Sequence, residues 1–214
     1  MDYPCGEIID VEQGTDQWFA TKCGVVSASH MSDVMAKGKN GQESTSYANY
    51  RAKIVAERMT GITSKTFSNH HTERGITQEP AARCCYEFVN GVDVAQVGFV
   101  RHPTLDFAGC SPDGMPVGGG LMQIKCQIPA IHINCLLKKE VPSEYVKQMQ
   151  FEMACTGEVW NDFVSYCPDM PEDLQLFICR LHRDDKAIAE MQATAIIFNR
   201  SVEKMIADLR AIRP

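Results

Sequence analysis

The sequence lacks paired-cysteine motifs, long apolar runs and a surplus of basic charge. Its ten cysteines include no CxxC spacing, which argues against a structural zinc site or a dithiol redox centre. No apolar run reaches the ~18 to 20 residues that span a bilayer, and the N-terminus lacks the basic-then-apolar order of a signal peptide. We therefore expect a cytoplasmic protein with reduced thiols and no membrane contact.

The charge balance excludes a general nucleic-acid coat. The chain carries 21 basic and 27 acidic residues, a net charge of −6, so any DNA contact must use a local basic surface. A length of 214 residues with 44% hydrophobic composition is sufficient for one well-buried core. We expect residues 1–214 to form a single domain.

Hydrophobic periodicity predicts helices around a sheet. Three-to-four spacing indicates helices over 15–24, 29–35, 45–60, 77–89, 143–156 and 188–212. Shorter runs between turn residues indicate strands over 92–100, 107–113, 121–126, 159–167 and 174–181. The first three of these strands are expected to be neighbours. The pattern predicts an α/β fold with a central mixed β-sheet flanked by helices.

A catalytic motif lies where the third of these strands begins. The turn Gly109–Gly114 reads GCSPDG and is followed by the strand Leu121–Cys126, which reads LMQIKC. This arrangement resembles that of PD-(D/E)xK nucleases, except that glutamine stands at 123 where an acidic residue is expected. Residues 123 and 125 share one face of a strand. Since Mg²⁺ prefers oxygen ligands, usually including carboxylates, Gln123 offers an oxygen but no charge.

Three residues are candidates for the hydrolytic chemistry. Asp113 is the natural bridging metal ligand, because paired metals held by carboxylates can activate water and stabilise the leaving oxygen. Glu79 is a second candidate, although a carboxylate in the first turn of a helix also stabilises the helix dipole. Lys125 is positioned to act near the attacking water. A strand lysine is otherwise often a solvated edge residue.

Two aromatic residues, one amide and two lysines are further candidates for the catalytic or DNA-binding site. Tyr145 and Gln148 are three apart and can share a helix face, which could order a water or form only an exposed polar stripe. Trp18 could belong to the core or stack on a base. Lys22 and Lys39 are candidate phosphate contacts, and Lys39 lies in a polar, glycine-bearing loop over 37–46.

Four stretches, in order, resemble the phage lambda-type alkaline exonucleases, the YqaJ-like viral recombinase family of the PD-(D/E)xK superfamily. These are residues 18–29, 75–82, 109–126 and 145–150. The resemblance implies the restriction-endonuclease-like fold. It also implies a Mg²⁺-dependent 5′-to-3′ exonuclease that degrades linear duplex DNA to mononucleotides and leaves 3′ single strands for recombination.

The resemblance assigns roles to individual residues. Two Mg²⁺ ions, with Mn²⁺ as a substitute, would be held by Asp113, Glu79, Gln123 and the carbonyl of Ile124. Lys125, Glu79, Gln148 and Tyr145 would form the catalytic set. A terminal 5′-phosphate would meet Ser29, Ser111 and Lys22, with Trp18 and Lys39 contacting DNA. Lys22 stands where the family has arginine, so the bidentate fork is lost. A second basic residue of that pocket has no match, since Ile131 and His132 occupy the region.

The same resemblance implies an assembly and a context. A homotrimeric ring would act on double-stranded DNA ends together with a single-strand annealing recombinase. The protein would be cytoplasmic, encoded by a bacterium, phage or prophage.

Gln123 leaves alternatives open. It is either the natural residue or a replacement for glutamate that traps substrate, and the second alternative is favoured. In both cases we expect impaired cleavage. One rival function is a non-catalytic DNA-end-binding protein on the same fold. The other is a thiol-based metal or redox protein, which the scattered cysteines do not favour.

Overall fold

The computed structural model describes residues 3–38, 42–63 and 70–212, with the main chain alone at 70–73. The helices are α1 (Asp16–Lys22), α2 (Met31–Val34), α3 (Thr45–Thr60), α4 (His70–Asn90), α5 (Pro129–Lys138), α6 (Ser143–Thr156) and α7 (Asp185–Ala211). The strands are β1 (Ile8–Ile9), β2 (Val26–Ser27), β3 (Val94–Ala95), β4 (Phe99–Arg101), β5 (Ala108–Cys110), β6 (Met115–Pro116), β7 (Leu121–Cys126), β8 (Trp160–Tyr166) and β9 (Leu176–His182).

The described strands form three hydrogen-bonded groups. One has the order β1-β4-β5-β2, a second pairs β3 with β6, and the third has the order β7-β8-β9. Parallel and antiparallel pairs occur in both larger groups, so the predicted α/β class with mixed sheets and flanking helices is confirmed. The runs near 92–100 and 107–113 are neighbours as expected, because β4 pairs with β5, but the expectation that the strand 121–126 lies directly beside them is wrong. β7 pairs with β8, and an isolated bridge between Gly114 and Met122 joins it to the turn after β5.

Helix α6 packs between the two larger sheets. It contacts β4 and β5 on one side and β8 on the other. Phe151 belongs to the core that includes Val26, while Met149 belongs to a second core with Phe163. Phe151, Met149 and Phe163 are fully buried, and burial of each contributes about 2 kcal/mol. The helix is therefore fixed in rotation, which determines where its polar side chains point.

Several predicted boundaries are confirmed. Helix α3 covers 45–60 as predicted and ends at Gly61, whose φ of 69° is the left-handed conformation that glycine adopts readily. Helix α6 and strand β7 match the predictions 143–156 and 121–126.

Other elements differ from the predictions. Helix α4 begins at His70, seven residues before the predicted start. Pro80 lies inside the helix rather than in its first turn. A proline there removes one main-chain hydrogen bond, which is why the sequence pattern suggested a start close to it. The run 92–100 contains β3 and β4 instead of one strand. Helix α5 was not predicted.

All ten cysteines are free thiols. Across residues 3–38, 42–63 and 70–212, no helix combines the length and apolar character needed to cross a membrane.

Candidate active site

The candidate catalytic residues converge where β7, α6 and the turn after β5 meet. Asp113, Gln123, Lys125 and Gln148 line one cavity. Glu79 lines an adjoining cavity, to which Asp113 and Lys125 also contribute. Residues that are far apart in the sequence therefore share one site, as the motif predicted.

Asp113 is held by strand β7. Its Oδ2 accepts the main-chain N–H of Ile124 at 2.7 Å and also accepts the side-chain amide of Gln123. Burial raises the pKa of Asp113, while the charge of Lys125 opposes that shift. The Asp113 carboxylate is thus anchored through Oδ2 near the ammonium group of Lys125.

Gln123 continues into a chain of hydrogen bonds. Its Oε1 accepts from Gln148 Nε2 at 2.6 Å. Gln148 Nε2 also donates to Glu152 Oε1 at 2.8 Å, and Asn161 donates to Glu152 Oε2 at 2.8 Å. We call Asp113, Gln123, Gln148, Glu152 and Asn161 the amide relay. It places the discordant residue in the centre of the site with its amide nitrogen toward Asp113.

Glu152 was missed by the sequence analysis. It lines the same cavity as Asp113 and Gln123 and is almost wholly buried. Burial, followed by the charge of Asp113, raises the pKa of Glu152 to about 8. Its position four residues after Gln148 could have revealed it, because such residues share a helix face.

Glu79 reaches the site from α4. It pairs with Arg83 at 2.6 Å on the same helix, and the side chain is half-buried. Burial, followed by the charge of Asp113, raises the pKa of Glu79. The two carboxylates therefore lie close enough to repel each other, an arrangement that a divalent cation would relieve.

Lys125 and Tyr145 lie together at the opening of the adjoining cavity. The Lys125 Nζ is 5.3 Å from the centroid of the Tyr145 ring, and both residues line this cavity with Glu79. The ring of Tyr145 stacks on Phe163, with 5.3 Å between centroids, and its hydroxyl accepts from Gln127 at 3.2 Å. Tyr145 is thus fixed beside the lysine rather than lying on a featureless exposed stripe.

A basic pocket adjoins the relay cavity. Trp18, Lys22 and Ser29 line both the pocket and the cavity that holds Asp113. The Lys22 Nζ lies 3.6 Å from the centroid of the Trp18 ring. Burial, together with the charge of Lys53, lowers the pKa of Lys22 to about 8. Lys53, on α3, also lines the pocket and was missed by the sequence analysis.

Two serines near this pocket, Ser29 in both cavities and Ser111 in the cavity of Asp113, differ in their bonding. The Ser29 hydroxyl lies 3.0 Å from that of Ser27, and Ser29 is exposed. Ser111 donates its hydroxyl hydrogen to Gly98 at 2.8 Å and accepts from Trp18 Nε1 at 3.0 Å. Ser111 would donate to a phosphate only by exchanging the bond to Gly98.

Two further positions bear on phosphate contact, Lys39 and His132. Lys39 lies outside the described residues. His132 is buried and bonds to Ser165 at 2.7 Å and to the Leu174 carbonyl at 2.8 Å, so it cannot replace the second basic residue of the phosphate pocket.

Comparisons with known proteins show what the chain is similar to. Residues 17–159 match the YqaJ-like viral recombinase domain. An alkaline exonuclease from Laribacter hongkongensis, LHK-Exo, is 40% identical with a TM-score of 0.85, covering 92% of this chain and 97% of that chain. LHK-Exo in complex with dAMP gives 40% identity, a TM-score of 0.86 and the same coverage.

A more distant structure shares the fold. A phage-related exonuclease from Haemophilus somnus 129PT is 12% identical with a TM-score of 0.72, covering 86% of this chain and 96% of that chain. No curated protein sequence matched significantly. The match over residues 17–159 and the similarity to LHK-Exo confirm the resemblance noted in the sequence: this chain belongs to the YqaJ-like viral recombinase domain family.

Proposed function

We propose that the protein is a Mg²⁺-dependent 5′-to-3′ exonuclease that degrades linear double-stranded DNA to mononucleotides and leaves 3′ single strands for recombination. The observation that carries this proposal is the junction of two pockets. A cavity with Asp113 and Lys125 is continuous with a basic pocket containing Lys22 and Ser29. A terminal phosphate in the basic pocket would bring a nearby phosphodiester to the carboxylates. The alkaline exonuclease activity named for LHK-Exo supports the same reaction class.

The donor set fits a hard cation. Asp113 and Glu79 supply two carboxylates, and the Ile124 carbonyl supplies a neutral oxygen. The Gln123 oxygen, which accepts from Gln148, would join them after the amide turns. Mg²⁺ takes one or two carboxylates with waters and phosphate oxygens. Among the described residues, no cluster of three histidine, cysteine or acidic side chains has metal-binding geometry. We therefore assign the Mg²⁺ site, with two ions per site and Mn²⁺ as a substitute, to this mixed set.

Bound divalent cations would lower the pKa of a water and offset charge on the reacting phosphate. Lys125 would hold the attacking water or stabilise the developing negative charge. The stacked Tyr145 restricts the position of that ammonium group. Gln148 Nε2 serves both Gln123 and Glu152. Its Oε1 has no hydrogen bond within the described part of the chain, so this oxygen can accept one from the water.

The basic pocket would select the DNA end. Lys22 and Lys53 supply two positive charges, while Ser29 presents an exposed hydroxyl. Phosphate contacts position a nucleic acid without reading its sequence, so we expect slight sequence preference. Trp18 lines this pocket, where the hydrogen bond from its indole N–H to the Gly98 carbonyl at 2.9 Å holds the ring in place. In the wider assembly, we propose a homotrimeric ring that acts with a single-strand annealing recombinase.

Gln123 also supports a second candidate function. Its amide nitrogen faces Asp113, as would suit a protein that binds DNA ends without cutting them. The surrounding residues favour slow cleavage over a complete loss of cleavage. The two cavities are still lined by the other candidate catalytic residues, Asp113, Glu79, Lys125 and Gln148.

Release of nucleotides separates the two functions. Linear duplex DNA with a labelled 5′-phosphate would be incubated with the protein in Mg²⁺ and in chelator. Release of labelled mononucleotide only in Mg²⁺ supports the exonuclease, whereas tight end binding with no release in Mg²⁺ or Mn²⁺ supports the alternative. A matched substrate labelled at the 3′ end tests polarity, because a 5′-to-3′ enzyme removes that label last.

A further inference from the structure

Glu152 is a buried carboxylate in the cavity of Asp113. Its exposed fraction is 1%, and none of the ion pairs among the described residues includes it. A buried carboxylate is costly unless it is hydrogen-bonded or serves a function. The buried Asp162, by contrast, pairs with Arg180 at 2.8 Å. Glu152 therefore needs an explanation beyond core packing.

The hydrogen bonds of Glu152 impose a direction on the amide relay. In its ionised form Glu152 can only accept hydrogen bonds, and Gln148 and Asn161 both turn their NH₂ groups toward it. The other hydrogen on Gln148 Nε2 then meets Gln123 Oε1. This leaves the Gln123 NH₂ group to face Asp113. Carboxylates at the two ends thus fix the orientation of both glutamine amides.

Asn161 shows the cost of this arrangement. Its Oδ1 is buried and finds no hydrogen-bond partner among the described residues, while its Nδ2 serves Glu152. A buried acceptor without a partner is unfavourable. The pull of the Glu152 charge on the Asn161 amide accounts for the orientation.

We propose that Glu152 is a positioning residue of the nuclease site: it orients Gln148 and supplies, from within the same cavity, the negative charge that Gln123 lacks, and so maintains the affinity of the Asp113 site for a divalent cation. This inference rests on the proposed function. Gln148 donates to a neutral amide, Gln123, and to a carboxylate, Glu152. The pair therefore contains one acidic residue, although not at position 123. A natural glutamine at position 123 is favoured by this arrangement, since the displaced carboxylate lies in the same cavity.

The charge can be moved by two isosteric substitutions. Glu152→Gln removes the charge, Gln123→Glu restores it next to Asp113, and the double variant exchanges the two residues. In Glu152→Gln, the side chain at position 152 can still accept the hydrogen bond from Gln148 through its oxygen. Its NH₂ group can donate to Asn161 Oδ1 after that amide rotates, which would satisfy the orphaned acceptor. We therefore expect the variant Glu152→Gln to fold with an unchanged or higher Tm.

Mg²⁺ and Mn²⁺ binding to the four DNA-free proteins would be measured by calorimetry above pH 8, where Glu152 is ionised, with Tm measured in chelator. Removing an outer partner of a metal ligand typically weakens affinity by about 10- to 100-fold. We expect Glu152→Gln to weaken binding about tenfold with Gln123 present, but less than about twofold in the Gln123→Glu background. Asp162→Asn, which removes a buried carboxylate that has its own cation, should leave metal affinity unchanged.

Two results would overturn the proposal. One is an equal effect of Glu152→Gln in both backgrounds, including no effect in either. The other is no binding of either metal by the unaltered protein. Failure of the proposed function is distinguishable from these, because metal binding with the expected coupling but without DNA cleavage would reject only the exonuclease.

Discussion

The main-chain N–H of Ile124 donates to Asp113 Oδ2 at 2.7 Å, which ties the turn after β5 to the edge of β7. This bond uses one oxygen of the carboxylate together with Gln123, and Oδ1 is left for a cation. A hydrogen bond to the main chain therefore joins the two halves of the sequence motif, and it preorganises Asp113 before substrate arrives.

Substitution of Asp113 by Asn tests the metal assignment. The variant keeps an acceptor for Ile124 but loses the charge that binds Mg²⁺, so cleavage should fall by about 100-fold or more. Burial raises the pKa of Asp113, so its ionised form carries a cost to folding above the ordinary carboxyl pKa. We expect Mg²⁺ to raise the Tm of the unaltered protein but not that of Asp113→Asn. An equal Mg²⁺ shift in both would place the cation elsewhere.

Lys125 should affect the chemical step more than DNA binding. Its ammonium lies beside Tyr145 and Asp113, where it can stabilise developing charge. Lys125→Ala should lower the single-turnover rate by about 100-fold or more while changing DNA affinity only a few fold. Lys138→Ala, which removes an exposed charge at the end of α5, is the control. A matching loss in both affinity and rate would make Lys125 a binding residue instead.

The depressed pKa of Lys22 predicts a pH dependence of end recognition. Its pKa is lowered to about 8, so the free protein loses this charge as the pH rises through about 8, well below the usual lysine range. A 5′-phosphate favours the charged form, and binding above that pH must therefore take up a proton. The preference for 5′-phosphorylated over 5′-hydroxyl ends should decline between about pH 8 and 10.

Lys22→Arg separates this effect from other titrations. Arginine stays charged throughout that range and offers a bidentate fork to phosphate. The variant should show a stronger preference for phosphorylated ends and little decline with pH. Retention of the full pH dependence in Lys22→Arg would assign it to a different group.

DNA affinity should depend strongly on salt. The protein has a net charge of −6, so binding must come from local contacts such as Lys22 and Lys53 with phosphates. Affinity should fall about tenfold or more between roughly 50 mM and 200 mM salt. Lys53→Ala should flatten the slope of log affinity against log salt by about one. A flat response in the unaltered protein would contradict a phosphate-lined pocket.

The sequence predicted the elements whose patterns are long and locally encoded. Helix α6 and strand β7 have clear periodicity and matched their predicted bounds. Two-residue strands such as β1 and β2 contain too few residues to show alternation. Pro80 concealed the first seven residues of α4, because a proline commonly marks the beginning of a helix.

The site was predictable where residues belong to the motif and not where tertiary packing places them. Asp113 and Lys125 were identified from spacing alone. Lys53 reaches the basic pocket only because α3 shares a core with β2 and lines the same pocket as α1. Glu152 resembles an ordinary helix carboxylate in the sequence, and only its burial against Asn161 reveals a role.

The exonuclease account is tested most directly at position 123. The unaltered protein and Gln123→Glu would be compared on linear duplex DNA with a labelled 5′-phosphate, in Mg²⁺ and in chelator. Since a carboxylate restores charge beside Asp113, we predict Mg²⁺-dependent mononucleotide release from the 5′ end that is faster in the variant, by up to about 100-fold. Binding of DNA ends without release by either protein in Mg²⁺ would contradict the account.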